Sequence, residues 1–256
     1  LMLKRILITS ALLACVCIAL IATIPVTPNS FVVNIPQGAS VRAVAKTVAK
    51  DSIAPAWLLE ATGRLLGAAA QLKTGRYTLP SAQTALGFWT ALNAQTPEMV
   101  EIKLLEGWTF KQIRAAINSN ASLKHDTQDW DNAALMKYLG MPEAHPEGRF
   151  FPDTYLLVAG SSDVTVYKTA FERMKKLSNK LWEQRPASTP LKTVDDLINL
   201  AAIVEKETGL EADRATVASV FHNRLLIGMR LQTDPTVIYG MGDAYKGRIR
   251  KADLQE

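Results

Sequence analysis

A run of nineteen residues without a charge, ILITSALLACVCIALIATI at positions 6–24, divides this chain of 256 residues into two physically different parts. A hydrocarbon core about 30 Å thick needs about 20 apolar residues at helical rise, so the run is long enough to span one. Lys4 and Arg5 precede it, and flanking cations keep the N-terminus inside and send the remainder across the membrane. A cleaved signal peptide would have a shorter apolar region followed by a small-x-small site, and no strong site follows here. A lipoprotein reading of LLAC at 12–15 is weaker still, because apolar sequence continues past Cys15. The expectation is an uncleaved anchor over residues 1–27, with everything after it exported.

Both cysteines, Cys15 and Cys17, lie inside the apolar run. The exported part therefore has no disulfide, no thiolate metal site and no cysteine nucleophile. It is long enough to be held by its own core. Lys and Arg number 29 against 24 Asp and Glu, a surplus of +5. With no dense Lys/Arg stretch and no interleaved aromatics, nucleic acid is not an expected partner. His125, His145 and His222 are scattered without ligand spacing, so neither a metal nor any other cofactor is expected. Ser219 and His222 lack a nucleophile-elbow context, and there is no glycine-rich phosphate loop.

After a proline-containing connector, PVTPNS at 25–30, residues 31–35 alternate like a strand. Ser40 caps a helix with an apolar stripe of Val41, Val44, Ala45 and Val48. A second helix is read at 55–66, a returning strand at 75–79 and a further helix at 85–92. The order strand, helix, helix, strand over residues 28–96 resembles a LysM-like module, a glycan-binding fold. A plain α+β spacer fits the same pattern. A second domain is placed at 97–256. It opens with a strand at 100–105 and a helix begun by Thr109 that carries Ile113, Ala116 and Ile117. Residues 118–131 read as an exposed polar loop. A long helix at 164–184 carries Val166, Ala170, Met174, Leu177 and Leu181 on one face and Lys168, Arg173, Lys175 and Lys176 on the other. The fold class is α+β behind a membrane helix.

Residues 193–209, TVDDLINLAAIVEKETG, form the best-defined helix, with a capping-box-like start at Thr193 and Asp196 and a stop at Gly209. Leu197, Leu200, Ala201 and Val204 are its expected buried stripe. At 100° per residue, Glu205 and Glu207 fall on opposite borders of that stripe. A carboxyl packed against apolar side chains has its charged form disfavoured, which raises its pKa towards the range of a general acid. Two exposed glutamates near a helix end would look the same, and periodicity does not choose between them. A further helix is read at 214–226, with Val217, Val220, Phe221 and Leu225 inward and Gly228 ending it. Residues 231–236, LQTDPT, suggest a short strand breaking into a turn, with Asp234 as N-cap and Pro235 at the first helical position. EGRFFPDTY at 147–155 mixes aromatics and carboxylates on a loop, as sugar-recognition and core-covering loops both do.

The segments EGRFFPDTY, AAIVEKET, VASVFHNRL and IGMRLQTDPTVIYGMG, in this order behind an N-terminal membrane helix, resemble the endolytic murein transglycosylases of the MltG (YceG-like) family. The resemblance runs from about residue 97 to the end. It implies a periplasmic enzyme, single-pass in the bacterial inner membrane, that cleaves the β-1,4 bond between N-acetylmuramic acid and N-acetylglucosamine within glycan strands and limits nascent strand length. Its partners would be peptidoglycan glycan strands, the membrane through residues 6–24, and peptidoglycan synthases. The family's catalytic glutamate is the second of its Glu-Lys-Glu-Thr motif, which falls on Glu207. Glu147, Asn223, Gln232, Asp234 and Tyr239 are the implied cleft residues.

An ordinary glycosidase uses two carboxyls, whereas a lytic transglycosylase lets the muramic acid C6 hydroxyl attack C1 and needs one. Two competitors remain. A non-catalytic peptidoglycan-binding scaffold would be indifferent to Glu207→Gln. A hydrolytic muramidase would need Glu205, Asp153 or Asp234 as its second carboxylate and would leave reducing ends. Family members continue beyond the position of Glu256 through an Asn-Thr-Tyr segment and a Gly-Leu-Pro-Pro-Gly stretch associated with the far wall of the cleft. The resemblance thus implies a C-terminally incomplete catalytic domain, inactive or impaired as residues 26–256.

Overall fold

The computed structural model describes residues 26, 31–36, 38–80 and 84–250. The apolar run at 6–24, with Cys15 and Cys17, lies outside them. Among the described residues no helix is long and apolar enough to cross a membrane. The mixture of helices and two-stranded sheets is α+β, as expected. The chain divides into two compact units, residues 1–101 with 122–124 and 156–161, and residues 102–121 with 125–155 and 162–256.

In the first unit, Phe31–Ile35 (β1) pairs antiparallel with Gly75–Leu79 (β2), Phe31 opposite Leu79 and Ile35 opposite Gly75. Strand alternation sends Val33, Ile35, Tyr77 and Leu79 to one face, where all are buried. Between the strands lie Val41–Val48 (α1) and Ala56–Leu65 (α2), and Ala85–Ala94 (α3) follows. Ser40 caps α1 through the Ala43 N–H, and the four residues of its expected stripe are the buried ones. Thr84 caps α3 in the same way.

The centre of this core is Trp89, fully buried, edge-on to Phe88 at 4.8 Å. Its indole N–H donates 2.8 Å to the Leu59 carbonyl, so the polar atom of the largest core side chain is satisfied. Gly63 makes the approach possible: a Cβ there would stand 2.7 Å from both Trp89 and Val41. Val26 is buried in the same core, and its carbonyl accepts from the Ile53 N–H at 2.9 Å and the Ser52 hydroxyl at 2.5 Å.

Met99–Leu104 (β3) and Asp153–Val158 (β4) pair in a second two-stranded sheet. Phe110–Asn118 (α4) starts at a full capping box between Thr109 and Gln112. Asn132–Tyr138 (α5), capped by Asp131, is a helix that the sequence reading did not assign. Asp163–Glu183 (α6), Val194–Glu207 (α7), Glu211–Leu226 (α8) and Asp234–Met241 (α9) complete the second unit. Phe150 sits among Phe110 at 5.1 Å, Tyr167 at 5.8 Å and Phe171 at 6.2 Å, and burial pushes the Tyr167 hydroxyl up to about 12.

Several expectations are corrected here. The loop at 118–131 is not simply exposed. Fully buried Asp163, in the first turn of α6, accepts from the Asp126 and Thr127 N–H groups and from the Thr127 hydroxyl at 2.6 Å, which draws Thr127 inside. Only the first part of EGRFFPDTY is loop, because Asp153 begins β4. No strand forms at 231–236. Helix α9 begins at Asp234 with Thr233 as N-cap, so Asp234 and Pro235 each stand one position later than expected. The apolar stripes of the last helices are only partly covered: Leu177, Leu181 and Val220 are exposed, and Val204 and Phe221 are the buried apolar residues of α7 and α8. Helix α7 packs against α6, α8 and α9, and among the described residues no further layer covers the outer faces.

Gly63→Ala is expected to destabilise the first unit by about 1–3 kcal/mol, the usual cost of overpacking a core. Hydrogen exchange at the α2 and α3 amides checks this and separates it from the second unit.

Candidate active site

The last turn of α7 carries the two glutamates that helical periodicity could not tell apart, and their partners differ. Glu205, half-buried, forms an ion pair with Arg214 of α8 at 3.0 Å, and Arg214 also stands 4.0 Å from Glu106. Gly107 lies beside them, with room for a Cβ 3.8 Å from the Glu205 carboxylate. Glu207 has a neutral partner instead: the Thr233 hydroxyl donates to its Oε1. Glu207 is exposed, so the apolar packing expected around it is absent. The reason is position, since Glu207 ends α7 and the next residue, Thr208, is already extended.

Thr233 is held by its surroundings. It is 4% exposed. Its carbonyl accepts from the Thr236 hydroxyl at 2.7 Å. The Arg224 guanidinium donates to the Leu231 carbonyl, and the Arg224 carbonyl accepts from Met229 N–H at 2.8 Å, closing the segment between α8 and α9. Between these fixed points Gln232 has φ of 51°, the one left-handed non-glycine residue described. Such a conformation persists only where surrounding contacts over-determine it, and it is concentrated at functional sites. Sequence reading found Gln232 and Asp234 through the resemblance and missed Thr233 between them, treating LQTDPT as cap chemistry. The Thr233 side chain does not cap α9.

Glu147 has a structural occupation. Both its oxygens accept from the Phe110 N–H at 3.1 Å, which satisfies a free donor at the positive end of α4. The next two residues grip α7: a Cβ at Gly148, φ 71°, would lie 2.8 Å from Ile198, and Arg149 pairs with Asp195 at 2.8 Å. Glu147 also borders an open groove of about 460 Å³ with Phe110, Lys111, Arg114, Asn132 and His145, a groove whose lining does not include Glu207.

Tyr239, exposed on α9, has its hydroxyl pKa raised by partial burial and then by the charge of Glu147. Glu147 and Tyr239 therefore share a neighbourhood, and Glu207, Thr233 and the flanking Gln232 and Asp234 form another, with α9 running from Thr233 to Tyr239. Asn223 is exposed on α8, and its carbonyl closes the last turn of that helix. Asp153 pairs with Arg173 at 2.5 Å, and the Thr154 N–H, then Arg173, hold its carboxyl below the usual range. No group of three metal-ligating side chains occurs among the described residues. The last turn of α7 thus offers one exposed carboxyl held by a neutral hydroxyl, Glu207, and one paired with a guanidinium, Glu205.

Residues 33–256 match the YceG-like family, and the chain belongs to it. It is 29% identical over 242 residues to an endolytic murein transglycosylase of Bacillus subtilis (strain 168), covering 87% of this chain and 66% of that protein. It is 26% identical over 250 residues to an endolytic murein transglycosylase of Streptococcus pneumoniae (strain ATCC BAA-255 / R6), covering 86% of this chain and 45% of that one. The chain thus spans from under half to just under two thirds of the length of these relatives. A crystal structure of a yceG-like protein from Listeria monocytogenes aligns with a TM-score of 0.47 at 24% identity, over 89% of this chain and 80% of that one.

The start of α7 has a testable pH dependence. The Lys192 N–H at 2.8 Å, then the Thr193 N–H, hold the Asp196 carboxyl below its usual 3.8. Its folded-state pKa is depressed, so the stabilisation is complete above about pH 4 and is lost as pH falls through the folded value. Asp196→Asn is expected to be less stable at neutral pH and to lose less stability between about pH 5 and about pH 2 than the wild type. Urea midpoints across that range give the comparison.

Proposed function

We propose that the chain is an endolytic peptidoglycan lytic transglycosylase, with Glu207 as its single catalytic carboxyl. The observation that carries this reading is the family match over residues 33–256 together with relatives named endolytic murein transglycosylases. The partition of the two α7 glutamates supports the choice of residue: Glu205 is paired with Arg214, and Glu207 has a neutral hydroxyl partner.

In the proposed reaction the glycan presents the bond between N-acetylmuramic acid C1 and the oxygen at C4 of N-acetylglucosamine. Glu207, protonated, gives its proton to that oxygen as the C1–O bond breaks. The muramic acid C6 hydroxyl then attacks C1, its proton passes to the Glu207 carboxylate, and a 1,6-anhydro end closes. The carboxyl returns to its starting form and no water is consumed. One residue serves as acid and then base because the two proton transfers are successive. Thr233 would hold Oε1 while Oε2 faces the substrate. Gln232, Asp234, Asn223 and Tyr239 would line the cleft, and Glu147 would orient α4 and add charge near Tyr239.

The rest of the layout belongs to the same proposal. Residues 6–24 anchor the protein in the inner membrane with the remainder in the periplasm, residues 28–96 act as a LysM-like glycan-binding module, and residues 97–256 carry the chemistry. Glycan strands are the substrate, strand length is what the activity limits, and peptidoglycan synthases are the fitting partners.

Glu207→Gln is expected to lower the yield of 1,6-anhydro ends from purified glycan strands by about 10²-fold or more, the usual worth of a positioned acid or base. Mass spectrometry separates these ends from reducing ends, which are one water heavier. Reducing ends would favour a muramidase, and binding without new ends would favour a scaffold. Thr233→Val is expected to lower kcat roughly ten- to a hundredfold with little change in KM, the scale of a hydrogen bond to a charged group. Thr233→Ser keeps the hydroxyl and should restore the rate.

A further inference from the structure

Helix α2 has two apolar faces, and only one of them is used. Leu58, Leu59, Thr62 and Gly63 are buried in the first unit's core. On the opposite side Trp57, Ala61 and Leu65, spaced by four, form an exposed ridge, with Ile53 one further step before the helix. Trp57 is 67% exposed, Leu65 80% and Ile53 61%. Solvent alone gives no reason for such a ridge. Glu60, the one carboxylate on α2, is paired with Arg64 at 2.6 Å and approached by Arg42 at 3.9 Å.

The chain itself points to what covers the ridge. Val26 is fully buried in this core, and its carbonyl accepts from Ser52 and from Ile53, the first residue of the ridge. Only Pro25 separates Val26 from Ile24, the last residue of the nineteen-residue apolar run. Two residues of chain reach about 7 Å at most, a covalent limit on how far the end of the run can stand from Val26. A segment entering a bilayer within that reach would bring the lipid surface to the ridge.

We propose that the face formed by Ile53, Trp57, Ala61 and Leu65 docks onto the surface of the bilayer that residues 6–24 enter. This rests on the reading of those residues as a membrane anchor. Tryptophan favours the headgroup level, where its ring is partly buried and its N–H stays wet. Arg64, next to Leu65 in the last turn of the helix, can lay its stem along lipid and keep its charge at the headgroups. Exposed Arg42, Lys46, Lys50, Arg64, Lys73 and Arg76 outnumber Asp51 and Glu60 between residues 38 and 80, which suits an anionic lipid surface. A sugar-binding platform would set polar donors around the indole in a concave site, whereas the neighbours of Trp57 along this ridge are apolar. The docking fixes the first unit against the membrane rather than leaving it on a free tether.

The test uses the full chain reconstituted into vesicles of phosphatidylethanolamine and phosphatidylglycerol, with and without brominated acyl chains. Tryptophan emission of wild type is compared with Trp57→Phe, which alters one of the five tryptophans at an exposed position. The expected result is a bromine-quenched component in wild type that is missing in Trp57→Phe, with both proteins floating with the vesicles. Flotation with equal fractional quenching in the two proteins would overturn the docking and leave the anchor standing. A wild-type chain that does not float with the vesicles removes the anchor reading, and the docking with it. If glycan strands, but not brominated lipid, perturb the Trp57 component, the ridge is a glycan surface and the proposal is wrong.

Discussion

The placement of the candidate catalytic carboxyl depends on three consecutive residues that fasten one loop to two helices. Glu147 closes the exposed N-terminus of α4, Gly148 lets the backbone come against Ile198, and Arg149 pairs with Asp195 in the first turn of α7. Each contact has a different physical basis: a charge-assisted hydrogen bond at a helix dipole, a close approach open only to glycine, and an ion pair. Together they fix the start and rotation of α7. Glu207 is the last residue of that same fourteen-residue helix.

At that far end the deciding factor is the kind of partner each acid meets. Two glutamates separated by one lysine are nearly equivalent in sequence, yet Arg214 takes Glu205 and a threonine hydroxyl takes Glu207. The guanidinium ties Glu205 to α8, while the hydroxyl ties Glu207 to the segment before α9. The backbone carrying that hydroxyl is constrained in turn, by Arg224 on Leu231 and by the left-handed turn at Gln232.

The first unit solves a different problem, joining a small core to whatever precedes it. Val26 is both core residue and tether point, with its carbonyl engaged twice by Ser52 and Ile53. The apolar ridge on α2 begins at the same residue that receives the tether.

Much of the architecture was legible because it rests on local rules. Period-two alternation in β1 and β2, the Ser40 cap on α1 and the Thr193–Asp196 box on α7 depend on residues two or three positions apart. Helix α5 escaped because its seven residues are too short for a periodic signal. The start of α9 was misjudged by one residue because the Thr233 side chain bonds Glu207, twenty-six positions away. By itself the sequence determined most of the order of strands and helices, apart from α5 and the strand expected at 231–236, together with the separation of an apolar front end from an α+β remainder and the family, since these follow from local spacing and contiguous motifs. Only the tertiary structure decided which glutamate meets an arginine and which a hydroxyl, that Asp163 pulls Thr127 inside, and that Trp57 is left facing outward. Those outcomes depend on residues from distant parts of the chain meeting in space, and no period within one helix encodes such a meeting.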